Sequence, residues 1–173
     1  YGKLGGLELG YGSDLDLVFI HGTEDANQMT DGKQAVAAPV FFARLGQRLI
    51  HLLTAVTGAG FLYEVDMRLR PDGASGMLVS SLKSFTQYQQ DKAWTWEHQA
   101  LVRARFVAGD SMIGEQFQAV RVSVLGSQRD RQVLHKEVLD MRERMRKELD
   151  KGKNGQFDLK QGQGGIVDIE FMV

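Results

Sequence analysis

The chain contains no cysteine among its 173 residues. An internal disulfide framework is therefore excluded, and the composition suits a reducing compartment. It also lacks an excess of either charge: 21 Lys and Arg stand against 22 Asp and Glu, a formal net charge of −1. No basic footprint supports nucleic-acid binding. No apolar run approaches the ~20 residues that a membrane-spanning helix needs, and no signal peptide is visible. His21, His51, His98 and His135 are scattered without the spacing of a zinc site. Internal repeats and low-complexity tracts are missing too. What remains is a chain that is 43% hydrophobic, enough for a substantial core in one domain. With Tyr1 directly at a motif and Phe171-Met172-Val173 inside an apolar run, it reads as an excerpt of a longer protein.

Two segments carry the chemistry. Gly12 to Ile20 and Tyr63 to Arg70 alternate apolar and polar residues and are expected to be strands. Alternation places Asp14 and Asp16 on one face of the first strand, with Leu15, Leu17 and Phe19 on the other. In the second it places Glu64, Asp66, Arg68 and Arg70 on one face. If the strands are neighbours, three aspartates and two arginines meet on a polar face. Clustered carboxylates repel one another unless a cation lies between them. Hard oxygen ligands suit Mg²⁺, which is commonly shared with substrate phosphates. Metal-assisted phosphoryl or nucleotidyl transfer is the chemistry this pattern suggests. Upstream, Gly5, Gly6 and Ser13 form a phosphate-approach arrangement, with glycines for close backbone contact and a small hydroxyl as a further donor. No Walker loop or dinucleotide fingerprint is present.

Between these segments, residues 22–38 read as an exposed loop. Val40 to Val56 reads as a helix with a broad buried stripe of Phe41, Phe42, Leu45, Leu49, Ile50, Leu52, Leu53 and Val56. Ser81 is expected to cap a helix through Gln90, Trp94 to Val107 to form another, and Asp110 to cap a third reaching Leu125. Gln128 to Asp150 carries an apolar stripe at Leu134, Val138, Met141, Met145 and Leu149 on an otherwise charged helix. Lys160 opens a glycine-rich turn before Ile166, where a helix could present free N–H groups to an anion.

The blocks Gly2–Leu9, Ser13–Leu17, Tyr63–Pro71, Gly73–Val79, Trp94–Arg105 and Gly164–Phe171 together resemble glutamine synthetase adenylyltransferase, of the DNA polymerase β-like nucleotidyltransferase superfamily. Ala93–Ala100 and Gly10-Tyr11-Gly12 resemble its C-terminal, adenylylating half more than its deadenylylating half. The resemblance implies an α/β (α+β) nucleotidyltransferase fold, a small mixed sheet packed on helices and followed by a helical region. It implies a catalytic core over residues 1–109. Residues 110–173 would be a helical extension leading to a further helical domain. The implied activity is Mg²⁺-dependent transfer of AMP from ATP to a tyrosine hydroxyl of glutamine synthetase, releasing pyrophosphate. The alternatives are phosphorolytic deadenylylation or modification of a small molecule. Asp14, Asp16 and Asp66 would be the metal-holding catalytic residues. Gly5, Gly6, Ser13, Arg68, Arg70 and Lys160 would meet the nucleotide. Control by the nitrogen-signalling PII protein would act through the full-length protein, and the expected location is cytoplasmic.

Overall fold

A computed structural model describes residues 1–61, 63–150 and 157–172. The chain divides into two compact units, Tyr1–Gly126 and Ser127–Val173. The first is mixed α/β. Its elements run α1 (Gly2–Gly5), β1 (Leu15–Asp16), β2 (Phe19–His21), α2 (Ala38–Leu53), β3 (Val65–Asp66), β4 (Val79–Ser81), α3 (Leu82–Asp91), α4 (Thr95–Val102) and α5 (Ser111–Leu125). The strands form two parallel pairs, β1 with β3 and β2 with β4. The register sets Leu15 beside Val65 and Asp16 beside Asp66. Phe19, Ile20 and His21 face Val79, Ser80 and Ser81.

The core lies where α3, α4 and α5 meet. Phe85 and Leu101 are fully buried, and Phe117 packs its ring 5.8 Å from that of Phe85. Each such side chain contributes about 1.5–3 kcal/mol by leaving water. The expected caps are present: the Ser81 hydroxyl accepts from the Ser84 N–H, and the Asp110 carboxylate accepts from the Met112 N–H. Pro39 sits in the first turn of α2, where its missing N–H costs nothing.

Three expectations need correction. The strand expected over Gly12–Ile20 begins only at Leu15, leaving Asp14 outside it, is interrupted after Asp16 and resumes at Phe19. The helix expected over Trp94–Val107 ends at Val102, because the Arg121 guanidinium takes the carbonyl oxygens of Leu101 and Val102, the first at 2.7 Å. The α2 stripe is not buried as a whole. Phe42 turns toward the sheet, its ring stacked 4.3 Å from that of His21, and Ala38 and Gly46 are the buried members of the helix. A Cβ on Gly46 would lie 2.8 Å from Val79 Cγ2, so glycine lets the helix backbone press on β4. Phe41, Leu45, Leu49 and Leu52 are left outside.

The second unit holds α6 (Arg131–Leu149) and the short α7 (Ile166–Glu170). Asp130 caps α6 by accepting from the Gln132 and Val133 N–H groups. Among the described residues no helix is long and apolar enough to cross a membrane.

Candidate functional site

The parallel pairing of β1 and β3 brings Asp16 and Asp66 side by side. Leu15 N–H donates to the Glu64 carbonyl at 2.7 Å and Leu17 N–H to that of Asp66 at 2.9 Å, which fixes the register from both sides. In-register residues project to the same face of a sheet, so the two carboxylates share a surface, with Asp14 exposed at its entrance. Burial raises the Asp16 pKa, and the neighbouring Asp66 and Asp14 charges raise it further. Asp66 is held below the ordinary carboxylate range, first by the Arg68 side-chain hydrogen bonds.

Arg68 and Arg70 do not continue the strand. β3 ends at Asp66 because the Arg68 N–H turns back to Asp66 Oδ1 at 2.8 Å. The Arg68 side chain stays on the carboxylate face through its own fold-back, with Nε 2.8 Å from Asp66 Oδ2, while remaining largely exposed. Arg70 turns inward. Its guanidinium donates to the carbonyls of Met67, Ala74 and Gly76 at 2.8, 3.0 and 3.3 Å, and so clamps the turn in which Asp72 adopts a left-handed φ of 59°. Among the described residues no three His, Cys, Asp or Glu side chains converge to grip a metal ion as they stand.

The glycine turn is packed against the other end of the unit. Gly5 N–H donates to the Tyr1 carbonyl and Gly6 N–H to that of Gly2, both at 2.9 Å. A Cβ on Gly5 would fall 1.7 Å from the Arg103 carbonyl oxygen. Arg105 meets the carbonyls of Gly5 and Leu4 at 3.2 and 2.9 Å, and Arg103 pairs with Glu8 at 3.3 Å. Ser13 is buried, and its hydroxyl accepts from the Gly10 N–H at 3.2 Å. Lys160 stands exposed in the second unit; its N–H donates to Asp158 Oδ1 at 2.9 Å.

Arg142 escaped the sequence reading, and its partner Asp168 lies in the Gly164–Phe171 block. Buried Arg142 donates through Nε to Asp168 Oδ1 and through Nη2 to the Gln161 carbonyl at 2.7 Å. Asp168 Oδ2 accepts from the Gly164 N–H at 2.6 Å. The anion at the α7 N-terminus is thus the chain's own carboxylate, held low by that N–H and by Arg142. The only sequence signal was an arginine adjoining the Met141–Met145 stripe.

A cavity of about 390 Å³ opens beside the ends of β2 and β4, walled by His21, Pro39, Asp72, Met77, Ser81 and Lys92 among others. None of Asp14, Asp16 and Asp66 lines it. On its wall the Tyr88 hydroxyl donates to Glu97 Oε1 at 2.8 Å, and burial followed by this bond pushes its pKa up to about 12. An unfolded tyrosine titrates near 10. The stabilisation is therefore complete below about pH 10 and is lost as pH rises toward about 12. Melting curves of the chain and of Tyr88→Phe should converge across that window. Parallel curves from pH 8 to 12 would refute the role of this hydroxyl.

Comparison with known proteins agrees with this geometry. The family model for glutamate-ammonia ligase adenylyltransferase matches residues 1–120. The bifunctional glutamine synthetase adenylyltransferase/adenylyl-removing enzyme of Thioalkalivibrio sulfidiphilus is 63% identical over all 173 residues, and that of Nitrosococcus oceani 60%. The Pseudomonas syringae pv. tomato protein of the same name is 57% identical over a 185-residue alignment that takes in the whole chain. The chain spans only 18% of the length of the first two relatives and 19% of the third. With its first 120 residues matched and its full length aligned at such identity, the chain belongs to the glutamate-ammonia ligase adenylyltransferase family.

Proposed function

We propose that this chain is a nucleotidyltransferase domain that transfers AMP from ATP to a tyrosine hydroxyl of glutamine synthetase and releases pyrophosphate. The observation that carries the reading is the register of Asp16 with Asp66, which sets two carboxylates on one surface with Asp14 at its entrance. The donor set suits Mg²⁺: oxygen ligands only, with a mutual repulsion felt in the raised pKa of Asp16 that a cation would relieve. Asp14, Asp16 and Asp66 are the residues that would hold it. A bound Mg²⁺ would lower the pKa of the attacking hydroxyl and neutralise charge on the phosphates.

The chain's own residues do the rest. Arg68 is the exposed cation of the site, and among the described residues its side chain is held by Asp66. Swung toward the triphosphate, it offers a two-pronged guanidinium to phosphate oxygens and frees Asp66 Oδ2 to accept the hydroxyl proton. Arg70 keeps the 67–76 turn in shape beside it. Ser13 and Gly6 set the path of the chain leading to Asp14. Resemblance of Ala93–Ala100 to the adenylylating half supports the forward direction, and an ATP- and glutamine synthetase-containing cytoplasm is the setting. Control by the PII protein belongs to the longer polypeptide.

The test is incubation of this chain with α-labelled ATP, Mg²⁺ and unmodified glutamine synthetase. Label on a glutamine synthetase tyrosine supports the reading. Phosphate-dependent release of ADP from adenylylated glutamine synthetase, without forward transfer, assigns the chain to the deadenylylating half.

A further inference from the structure

The exposed face of α2 carries two features together. Phe41, Leu45 and Leu52 fall on one line of the helix with Leu49 at its edge, and they are 43, 42, 70 and 39% exposed. At 100° per residue this line lies more than a quarter-turn from the Gly46 side that presses on β4. Arg44 and Arg48 run along one flank of it, both exposed. Among the described residues neither has an ionic or hydrogen-bonded partner. A helix of 16 residues with two arginines, one histidine and no acid therefore shows water a bulky apolar stripe with a cationic border. Scattered apolar residues on a surface need no explanation, but a contiguous helical row marks a contact.

A second copy of this chain is a poor occupant. In an antiparallel pair of α2 helices the arginine flanks face each other, and in a parallel pair they face a flank that holds no acid. Like charges at that range repel. The stripe instead matches an amphipathic helix with Asp or Glu along one border, seated as a helix on an apolar surface. The chain aligns with only 18% of its relatives' length, and the polypeptide that those relatives carry beyond the aligned region is the kind of source that could supply one.

We propose that this face of α2 is a docking surface for an acidic-bordered amphipathic helix from polypeptide outside these 173 residues. The inference does not depend on the reaction assigned above. Fluorescence anisotropy with two labelled peptides tests it: a Leu/Glu helix and a Leu/Lys helix of equal length and apolar content. The Leu/Glu peptide should bind the 173-residue chain at least ~10-fold more tightly, about 1.4 kcal/mol. In Arg44→Glu/Arg48→Glu the preference should invert. In Leu45→Ser/Leu49→Ser both peptides should lose affinity while the far-ultraviolet circular dichroism is retained, because these side chains lie outside the core. Equal affinity for the two peptides would overturn the proposal, as would binding indifferent to the leucine pair. Self-association in sedimentation that the leucine pair abolishes would overturn it too, in favour of a second copy.

Discussion

Asp16→Asn should abolish AMP transfer while leaving the metal-free protein slightly more stable than the wild type. The two effects have one cause. Asp16 is half-buried beside Asp66, and its pKa is raised by burial and then by the Asp66 and Asp14 charges. For an acid whose folded pKa exceeds its unfolded value, stability is complete below the unfolded value, ~3.9, and falls as pH climbs through the folded one. At neutral pH the ionised Asp16 thus weighs against the fold. Asparagine keeps the size and removes that charge, so the melting temperature in chelator should rise, by a small amount because solvent screens a site this open. The loss of function is far larger. On the proposed reading Asp16 would help place a cation, and removing its charge would forfeit several kcal/mol of charge stabilisation, a rate loss of ~10³-fold or more. Added Mg²⁺ should raise the melting temperature of the wild type and leave Asp16→Asn unmoved, a readout independent of turnover. A fully active Asp16→Asn variant, or one that melts lower in chelator, would sink the argument.

The elements bearing this site were legible in the sequence to different depths. Local signals held. Ser81 and Asp110 cap their helices because each side-chain oxygen needs only the N–H groups of the next turn, and the Asp16 and Asp66 segments are neighbours, the condition on which a shared polar face depended. What periodicity could not reveal was set by distant contacts. Alternation put Arg68 and Arg70 on the face of Asp66, yet the strand stops at Asp66 and the two arginines part company. One folds back on the carboxylate and the other turns in to three carbonyls. A two-residue pairing offers little to hold an extended chain against a side chain that can satisfy the same N–H groups. α2 went astray for a different reason. Only part of its row of large apolar residues turns inward, with Phe42 stacked on His21, and the closest approach is made at Gly46, whose importance is visible only once Val79 lies across from it. In the same way nothing near Arg142 announces Asp168, since the partner lies on another element of the second unit.

Gly5 shows how packing and chemistry can share one signature, and its substitution should give the second large effect. The Gly5-Gly6 pair read as a place for backbone amides to approach phosphate. Both N–H groups are engaged within the first turn of the chain, at 2.9 Å to Tyr1 and Gly2 carbonyls. What demands glycine at position 5 is the Arg103 carbonyl oxygen, 1.7 Å from any Cβ built there, with the Arg103 carbonyl carbon at 2.9 Å behind it. No rotamer relieves a clash between a Cβ and backbone. Gly5→Ala must push α1 off the end of α4 and with it break the bonds from Arg105 to the Gly5 and Leu4 carbonyls. A loss at or above the top of the ~1–3 kcal/mol range for overpacking follows. Position 6 is the control. Its nearest neighbours would be the Arg103 Cδ and the Gly2 carbonyl oxygen, both at 3.4 Å, an ordinary van der Waals contact, so Gly6→Ala should fold with nearly unchanged stability. Denaturant unfolding and ATP affinity measured on both variants separate the two roles. Gly5→Ala should unfold at much lower denaturant, and Gly6→Ala should reveal whether the turn also meets the nucleotide, through weaker ATP binding in a fold that has not moved. A Gly5→Ala protein as stable as the wild type would show that α1 does not press on Arg103 as the geometry requires.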